Sequence, residues 1–515
     1  MRRILACSLT LMCALGMVGS ASATKWLTDA SYRVQAMGGA TLGIEDETTA
    51  LTVFNHENLA GLALNAKQNR LDLGLVYNTD VIDTPNVGKT TTTDLELTRP
   101  GAEYRGLTYW VNDALVLRGG IEGMMISSVD KPASGGTDQK NNFSGMGGGV
   151  SAAYKLPFGL ALGAGVVYTG AGGKPDPLPA GASKVEATAN NLNWGVGAAY
   201  ALEKLGADNN KLTLGAQVGT DDERPNIAGV AAGDFADFNG VIEQAAEITG
   251  FGTWSQKNTF TNSPMKISGE AIFDMGSLLS AGVLFDNKTR ETKFKQEQVD
   301  PTGGFMGGSY TAEYKAMVSN IMGISPVVQA NIPLAEGLNL LPGVMFTTYG
   351  SGTVDQYSPS GLTSSYKAAT TTLNSTTVVG GLGLQALKKA LQVAVQVGSG
   401  TMKSETKVFN AAGTQLGSAT SPDTTLFNMG VGGEYWIIPM LAVRAGYTTT
   451  TTTLKATVEQ KQTVNSISLG AGLSMMEKAS LDLLVKLDTT TQDPAPDPKP
   501  THTATGVYLG ACIPL

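Results

Sequence analysis

The chain has 515 residues, of which 64 are glycine, and its formal net charge is −8 at pH 7. Charged residues make up only 16% of it, against about 25% in ordinary soluble domains, and an acidic balance excludes the basic patch that a nucleic-acid partner requires. A secreted β-solenoid of similar composition would show an internal repeat, and the sequence contains none. The composition instead favours strands that turn one face to lipid and the other to an interior.

The first 23 residues have the order of a secretory signal peptide. An apolar run over residues 4–18 follows Arg2 and Arg3, and small residues at 21–23 close the segment. We therefore expect export by the Sec pathway, cleavage before Thr24 and a mature protein in the bacterial outer membrane. The apolar run is too short for a membrane-spanning helix, which needs roughly 20 residues.

The cysteines allow one alternative to a signal peptide cleaved before Thr24, namely a lipoprotein signal. Cys7 follows Ile4-Leu5-Ala6 in a pattern like that of a lipoprotein, but cleavage there would leave almost no apolar segment before the cysteine. Cys7 and Cys13 leave with the signal peptide, so we expect the mature chain to retain only Cys512. No intramolecular disulfide is then possible.

Three short motifs follow within residues 31–62. They are Gln35-Ala36-Met37-Gly38-Gly39-Ala40, Asp46-Glu47-Thr48-Thr49-Ala50 and Phe54-Asn55-His56-Glu57-Asn58-Leu59-Ala60-Gly61-Leu62. In order and spacing they resemble the start of the FadL-type outer-membrane transporters and their PorV-like relatives, which have a Gly-Gly-Ala turn, a D-x-x-A step and an N-P-A-x-L-A segment. His56 and Glu57 stand where that family has Pro and Ala, and the family barrel is fourteen-stranded.

The resemblance implies a small hatch, residues 24–65, inside a barrel formed by residues 66–515. It also implies passage of fatty acids or aromatic hydrocarbons through a lateral opening. Glycine permits positive φ and close approach to a wall, and we expect the acidic side chains of the hatch to meet inward Arg or Lys. The alternative is a disordered N-terminal tail in the periplasm. The expected hatch residues are Gly38, Gly39, Asp46, Asn55, Glu57 and Leu59.

Alternating apolar and polar residues predict strands along the rest of the chain. In the segment 113–127, Leu115 and Leu117 share one face, while Arg118 and Glu122 share the other. The same period of two appears in the segments 70–78 and 480–488. We therefore predict antiparallel strands with an apolar face toward lipid.

Short turn segments separate these strands in pairs. Eight such connections are predicted, at Asn112-Asp113, Leu156–Gly159, Glu203–Asn210, Asp274–Ser277, Pro333–Gly337, Ala386–Lys389, Ile438-Pro439 and Glu477-Lys478. With an opening strand at 70–78 and a closing strand at 503–513 they give eighteen strands, within an expected range of about 14 to 18. Long polar loops are predicted between the hairpins, at Asp221–Asn262, Glu291–Ser309, Ser351–Leu373 and Thr401–Asp423. Short turns on one rim and long loops on the other are typical of an all-β transmembrane antiparallel β-barrel with an even strand number.

Charged residues opposite the apolar positions are predicted to face the lumen. Both signs occur among them, so they form either a structural ladder of ion pairs or a selectivity lining. The expected lumen-facing residues are Arg70, Asp72, Arg105, Arg118, Glu122, Lys266, Glu270 and Arg444.

The loop 221–262 carries apolar residues at near-helical spacing. An exposed apolar stripe usually marks an interaction surface, which predicts either a capture groove for a hydrophobic ligand or a loop helix that caps the barrel. The residues concerned are Phe235, Phe238, Ile242, Ile248, Phe251 and Trp254.

Enzymatic chemistry has little support in the sequence. Only His56 and His502 are present, without metal-ligand spacing, and no G-x-S-x-G motif or P-loop occurs. We expect a non-enzyme without metal or cofactor, whose partners are outer-membrane lipid, lipopolysaccharide, the barrel-insertion machinery and a hydrophobic small molecule. Passive uptake of that molecule is the leading hypothesis. The alternatives are a PorV-like scaffold or shuttle for secreted surface proteins and a general diffusion porin.

Overall fold

A computed structural model of the chain gives its architecture. The structure describes residues 32–37, 42, 59–64, 67–85, 87–97, 106–176, 182–203, 205, 210–220, 240–248, 254–299, 309–360, 363–417, 423–455, 459–475, 479–493 and 501–515. The predicted signal peptide lies outside these residues.

Within the described ranges, twenty-one strands form one antiparallel sheet, with three short helical pieces beside it. The first ten strands are β1 (Arg70–Thr84), β2 (Gly88–Leu97), β3 (Leu107–Trp110), β4 (Leu115–Pro132), β5 (Gln139–Lys155), β6 (Leu160–Asp176), β7 (Ala182–Glu203), β8 (Asn210–Gly219), β9 (Gly240–Ile248) and β10 (Trp254–Met275). The others are β11 (Leu279–Val299), β12 (Tyr310–Ala330), β13 (Ile332–Ala335), β14 (Leu338–Pro359), β15 (Ser365–Ala386), β16 (Leu391–Val408), β17 (Asp423–Ile438), β18 (Leu441–Lys455), β19 (Glu459–Met475), β20 (Ala479–Asp493) and β21 (Thr501–Pro514). The helical pieces are α1 (Tyr32–Ala36) and two 3₁₀ helices, Leu59–Leu64 and Leu387–Lys389.

The sheet closes on itself because β1 pairs with both β2 and β21. Arg70 lies opposite Pro514, so the first and last strands run side by side over nearly their full length. Three positions in the wall are each shared by two successive strands: β2 with β3, β8 with β9, and β12 with β13. The barrel therefore has 18 strand positions. The predicted all-β barrel with an even strand number is confirmed.

The two rims differ in their connections. All eight predicted short connections join strands at the rim that holds Arg70 and Pro514. Short turns mark the periplasmic side of outer-membrane barrels, so we name this the periplasmic rim and the opposite one the outer rim. The longest connection at the outer rim between β10 and the C-terminus is 409–422.

The strands extend further toward the outer rim than the sequence predicts. Strands β9 and β10 occupy much of the predicted loop 221–262, β11 continues to Val299, and β14 and β15 fill most of 351–373. Polar residues predominate in these segments of the sequence, so the apolar alternation that marks a strand is lost although the pairing continues.

The helical interpretation of the loop 221–262 was wrong where the structure describes it. Ile242 and Ile248 lie in β9, which pairs with β7 and β10, and Trp254 begins β10. Strand pairing on both sides outweighs the helix-like spacing of a few apolar residues. Phe235, Phe238 and Phe251 lie outside the described residues, and the capture role of this set stays a prediction.

The barrel is apolar outside and polar inside. On β16, Val393, Val395 and Val397 are 42%, 38% and 42% exposed, while the alternate residues Gln392 and Gln396 are almost completely buried. Each exposed valine gains about 1.5–3 kcal/mol on leaving water for lipid, so this surface suits a membrane. In the part of the chain described, no helix is long and apolar enough to cross one.

Candidate functional site

The helix α1 lies inside the barrel, against the inner wall. Its Ala36 is completely buried and packs with Val76 of β1 and Leu484 of β20. Val34 and Met37 pack on Ala394 of β16. These wall residues alternate with lipid-facing ones, so α1 occupies the lumen side.

A buried ion network fixes α1 to the wall. Arg33 donates two hydrogen bonds to the Glu434 carboxylate of β17, at 2.9 and 2.8 Å, and a third to Gln392 at 3.2 Å. Arg444 of β18 donates to the same carboxylate at 2.7 Å and to Asp482 at 2.5 Å. Glu434 is 1% exposed, and two guanidinium groups compensate its burial.

Wall glycines allow the N-terminal segment to approach the backbone of the strands. A Cβ atom added at Gly432 would lie 2.3 Å from the Met37 carbonyl oxygen, and one at Gly163 would lie 2.4 Å from the Leu59 carbonyl carbon. A third close approach brings Leu42 against Gly343. Any larger residue at these positions would displace the segment.

Two further pieces of the segment contact other arcs of the wall. The Leu42 backbone accepts a hydrogen bond from Gln329 and donates one to Gln396, at 3.2 and 3.0 Å. The Leu59 amide donates to Gln217 at 2.8 Å, and the 3₁₀ helix that begins there packs on β4 to β7. All these contacts lie in the half of the wall nearer the periplasmic rim.

The chain leaves the lumen beside the periplasmic turn 111–114. Lys67 forms an ion pair with Asp113 and lies 5.9 Å from the centre of the Trp110 ring. The hydrogen bond from Lys67 lowers the pKa of Asp113.

Only one of the predicted hatch residues, Leu59, lies within the described residues. Gly38, Gly39, Asp46, Asn55 and Glu57 lie outside them, so their roles stay predictions. The contacts that hold the described pieces come from Arg33, Glu434 and the wall glutamines. A pattern could have indicated the glutamines, because Gln392 and Gln396 alternate with valines in β16.

The predicted lumen residues lie on the inward face where the structure describes them. Arg70 forms an ion pair with Asp72 at 3.0 Å, Arg118 donates to the Thr108 hydroxyl at 3.2 Å, and Glu122 accepts from Thr169 at 2.9 Å. Most of these residues are brought together in small clusters of opposite sign or with hydroxyls. The other placements are Lys266 and Glu270 on β10, Arg444 in the Glu434 network, and Arg105 outside the described residues.

Among the described residues, strand pairing in the wall is interrupted between β2 and β3, although the Asp72 amide donates a hydrogen bond to the Gly106 carbonyl oxygen at 3.0 Å. Leu97, the last residue of β2, pairs with Leu75 of β1, and Leu107, the first of β3, pairs with Leu71. On β1, residues 72–74 therefore have no residue of β2 or β3 in register, and residues 120–122 of β4 are in the same situation. Residues 98–105, between the two strands, lie outside those described.

An apolar groove opens on the lipid side of this interruption. Its volume is about 640 Å³, and Leu73, Leu97, Leu107 and Ile121 line it. Gly119, Gly120, Gly148 and Gly149 form much of its floor, so few side chains fill it. Asp72, which is 4% exposed, lines the groove and has its side chain on the inward face.

A second interruption separates β8 from β9. Gly219 lies opposite Lys266 and Gly240 opposite Asn262, so residues 263–265 of β10 have no β8 or β9 residue in register. Thr220 fixes the end of β8 at this interruption. Its hydroxyl accepts a hydrogen bond from the Trp194 amide at 2.8 Å and donates one to the Asn193 side chain at 3.1 Å.

No group of three or more His, Cys, Asp or Glu residues in the described portion has an arrangement that could hold a metal ion. The closed wall, its apolar outer face and its polar, partly occupied lumen define an outer-membrane β-barrel.

No protein-family model and no curated protein matches the chain, whereas several solved barrels are similar to it. The Pseudomonas putida toluene transporter TodX is 11% identical, with a TM-score of 0.33, over 94% of this chain and 98% of that one. A Pseudomonas aeruginosa FadL homologue is 11% identical, with a TM-score of 0.34, over 94% and 97%. The siderophore receptor PiuA from Acinetobacter baumannii is 10% identical, with a TM-score of 0.36, over 86% and 82%.

Proposed function

We propose that the protein mediates passive uptake of hydrophobic small molecules, such as fatty acids or hydrocarbons, through the interruption between β2 and β3. The observation that carries the proposal is the apolar groove at that interruption, on the lipid-facing surface of the wall. Its volume of about 640 Å³ falls in the range of small-molecule sites.

The N-terminal segment supports a lateral rather than an axial route. Its described pieces contact three arcs of the inner wall near the periplasmic rim: α1 on β1 and β16–β21, Leu42 on β10–β16, and the 3₁₀ helix on β4–β8. A molecule entering from the outer rim meets these pieces before it reaches the periplasm. The interruption lies beside them in the wall and offers an exit into lipid.

The chemistry of the interruption suits an apolar cargo. Leucine and isoleucine line the lipid side, whereas Asp72 and Glu122 project from the lumen side of the same stretch. An ion in the lumen would have to shed its water to enter the groove, at a cost of many kcal/mol. A hydrocarbon gains free energy by the same step.

Filling the groove tests this proposal. A Cβ atom added at Gly119 would meet only the Gly149 carbonyl oxygen at 3.7 Å and Val150 at 3.8 Å, which are ordinary contact distances. The substitution Gly119→Trp is therefore expected to fold and to occupy the groove. In a host strain without its own fatty-acid channel, uptake of labelled oleate and toluene should fall about five-fold or more. A five-fold fall corresponds to about 1 kcal/mol in the free energy of the uptake step.

Gly269→Trp on β10 is the matched control. Gly269 also faces lipid, and an added Cβ atom there would meet only the Gly215 carbonyl oxygen at 3.8 Å. Uptake should match that of the unaltered barrel in this variant. Equal uptake by both tryptophan variants and the unaltered barrel would refute the lateral route.

A further inference from the structure

Four lysines stand on the outer face of the wall near the outer rim, one on each of four consecutive strand positions. They are Lys89, Lys131, Lys140 and Lys174, on β2, β4, β5 and β6. All four are exposed. Lys89 pairs in register with Lys131. Lys140 lies opposite Val129, two residues from Lys131, and Lys174 lies opposite Asn142, two residues from Lys140. The four cations therefore form one row across the wall.

Several lysines elsewhere on the upper wall form ion pairs. Lys295 forms an ion pair with Glu297 at 2.9 Å, Lys315 with Glu291 at 2.9 Å, and Lys407 with Glu405 at 3.3 Å. None of the four lysines in the row has an ion pair with any described residue, and this includes Asp83, which lies opposite Lys89 in register. No described residue compensates their charge through an ion pair, although Asp176 lies opposite Lys140 in register.

A second groove lies directly below the row on the same face. Its volume is about 700 Å³, and Lys174 lines its upper part together with Asn142 and Ser127. Tyr77 and Met125 line its lower part and belong to the apolar surface. The groove thus passes from a polar upper end, lined by Lys174 and also by Glu186, to an apolar lower end.

We propose that this face binds the phosphorylated glycolipid of the outer leaflet, lipopolysaccharide, with its phosphates on the lysine row and an acyl chain in the groove. Adjacent strands are about 4.8 Å apart, so four strand positions span about 14 Å. That width suits a headgroup with several separated phosphates better than a single carboxylate. The outer rim lies on the side of the membrane where this lipid occurs, and clustered lysines beside an apolar surface attract anionic lipid. The site is independent of the uptake proposed above.

Binding of lipid A to the full-length barrel in detergent tests the site, measured by native mass spectrometry. The probes are bis-phosphorylated lipid A and the same lipid after enzymatic removal of its phosphates. Because each lysine contributes up to about 1 kcal/mol to binding of anionic lipid, changing all four lysines to alanine should raise the Kd for lipid A at least about ten-fold. Removing the phosphates should weaken binding to the unaltered barrel by a similar factor.

The matched control changes four lysines that form ion pairs, Lys293, Lys295, Lys315 and Lys407, to alanine. It alters the net charge equally, and its Kd should stay within about two-fold of the unaltered value. Heat-modifiable migration on a gel shows that both variants fold. The proposal is overturned if the control loses lipid A equally, or if dephosphorylated lipid A binds the unaltered barrel as tightly as the phosphorylated form. Displacement of lipid A by equimolar oleate would also overturn it, because the site would then prefer a single carboxylate.

Discussion

Arg33 and Glu434 share two hydrogen bonds although 401 positions separate them in the sequence. The same carboxylate also accepts a hydrogen bond from Arg444, so one buried acid joins the N-terminal segment to two strands of the wall. The prediction that acidic residues of the segment meet basic wall residues concerns Asp46, Glu47 and Glu57, which lie outside the described residues, and it stays a prediction. At Arg33 and Glu434, the N-terminal segment supplies the cation and the wall supplies the anion.

Removing Arg33 should loosen the segment. Arg33→Ala deletes both hydrogen bonds to Glu434, and hydrogen bonds to charged groups contribute about 1.5–3 kcal/mol each. Glu434 keeps Arg444 and Trp436 as donors, so we expect a net loss of about 2–4 kcal/mol in the free energy of unfolding. Denaturant titration measures the loss, and planar-bilayer recordings should show a flickering conductance.

Lys67→Ala serves as the comparison for Arg33→Ala. Lys67 also forms an ion pair, with Asp113, but both side chains are exposed at the periplasmic rim. Exposed pairs contribute little to stability because water screens both charges. If the two variants lose equal stability, Arg33 is not the anchor of the segment.

The wall glycines give a steric test of the same contacts. Gly432→Ala and Gly163→Ala each place a methyl group within about 2.4 Å of the N-terminal backbone, so the segment must move. Trypsin should then cut at Arg33 faster than in the unaltered barrel in detergent. Gly380→Ala on β15 is the control, because nothing lies within 4 Å of an added Cβ there. Unchanged cleavage in all three would mean that the segment does not depend on these close approaches.

Adjacent residues on β4 separate the two faces of the wall. Arg118 is 7% exposed and holds Thr108 of β3, whereas Leu117 is 43% exposed toward lipid. Arg118→Ala and Glu122→Ala should alter conductance, because they change charges that face the lumen beside the interruption. Leu117→Ala should lower stability by about 1 kcal/mol or more and leave conductance unchanged. Equal effects of all three variants on conductance would contradict this assignment of the faces.

Much of the barrel could be predicted because strand period and turn residues are local signals. Leu117, Arg118 and Glu122 alternate as a strand between water and lipid must, and six of the eight short connections contain Pro, Gly, Asn or Asp. The charge network could not be predicted. Whether Arg33 meets Glu434 depends on the register and tilt of all intervening strands, which no local pattern contains.

The interruptions of the wall also could not be predicted from the sequence. Leu97 and Leu107 each look like ordinary strand residues. They are ten positions apart in the sequence, whereas their partners on β1, Leu75 and Leu71, are only four positions apart. The helical prediction for the loop 221–262 was wrong for a different reason. Its polar residues hide the period of two, although β9 and β10 pair over residues 240–248 and 254–262.

Deleting residues 24–65, with the signal peptide retained, tests the hatch as a whole. Barrels of 16–18 strands leave an aqueous channel when nothing occupies the lumen, and this wall has 18 strand positions. The deletion removes Arg33, which leaves Glu434 with fewer donors, and frees Gln217, Gln329 and Gln396 to bind water. Single-channel conductance should rise roughly ten-fold or more, because the lumen becomes a continuous aqueous path. Asn55→Ala should give a smaller rise.

Liposome swelling with sugars provides the second arm of the same experiment. Proteoliposomes of the unaltered barrel should not swell, since the described pieces of the hatch contact three arcs of the lumen wall, while those of the deletion should swell quickly. Rapid swelling with the unaltered barrel would favour the general diffusion porin over uptake of hydrophobic molecules. A deletion with unchanged conductance would place residues 24–65 outside the conducting path and would contradict their role as a plug. Heat-modifiable migration of the deletion shows that the barrel closes without its hatch, so that a leak reflects an opened lumen and not a failure to fold.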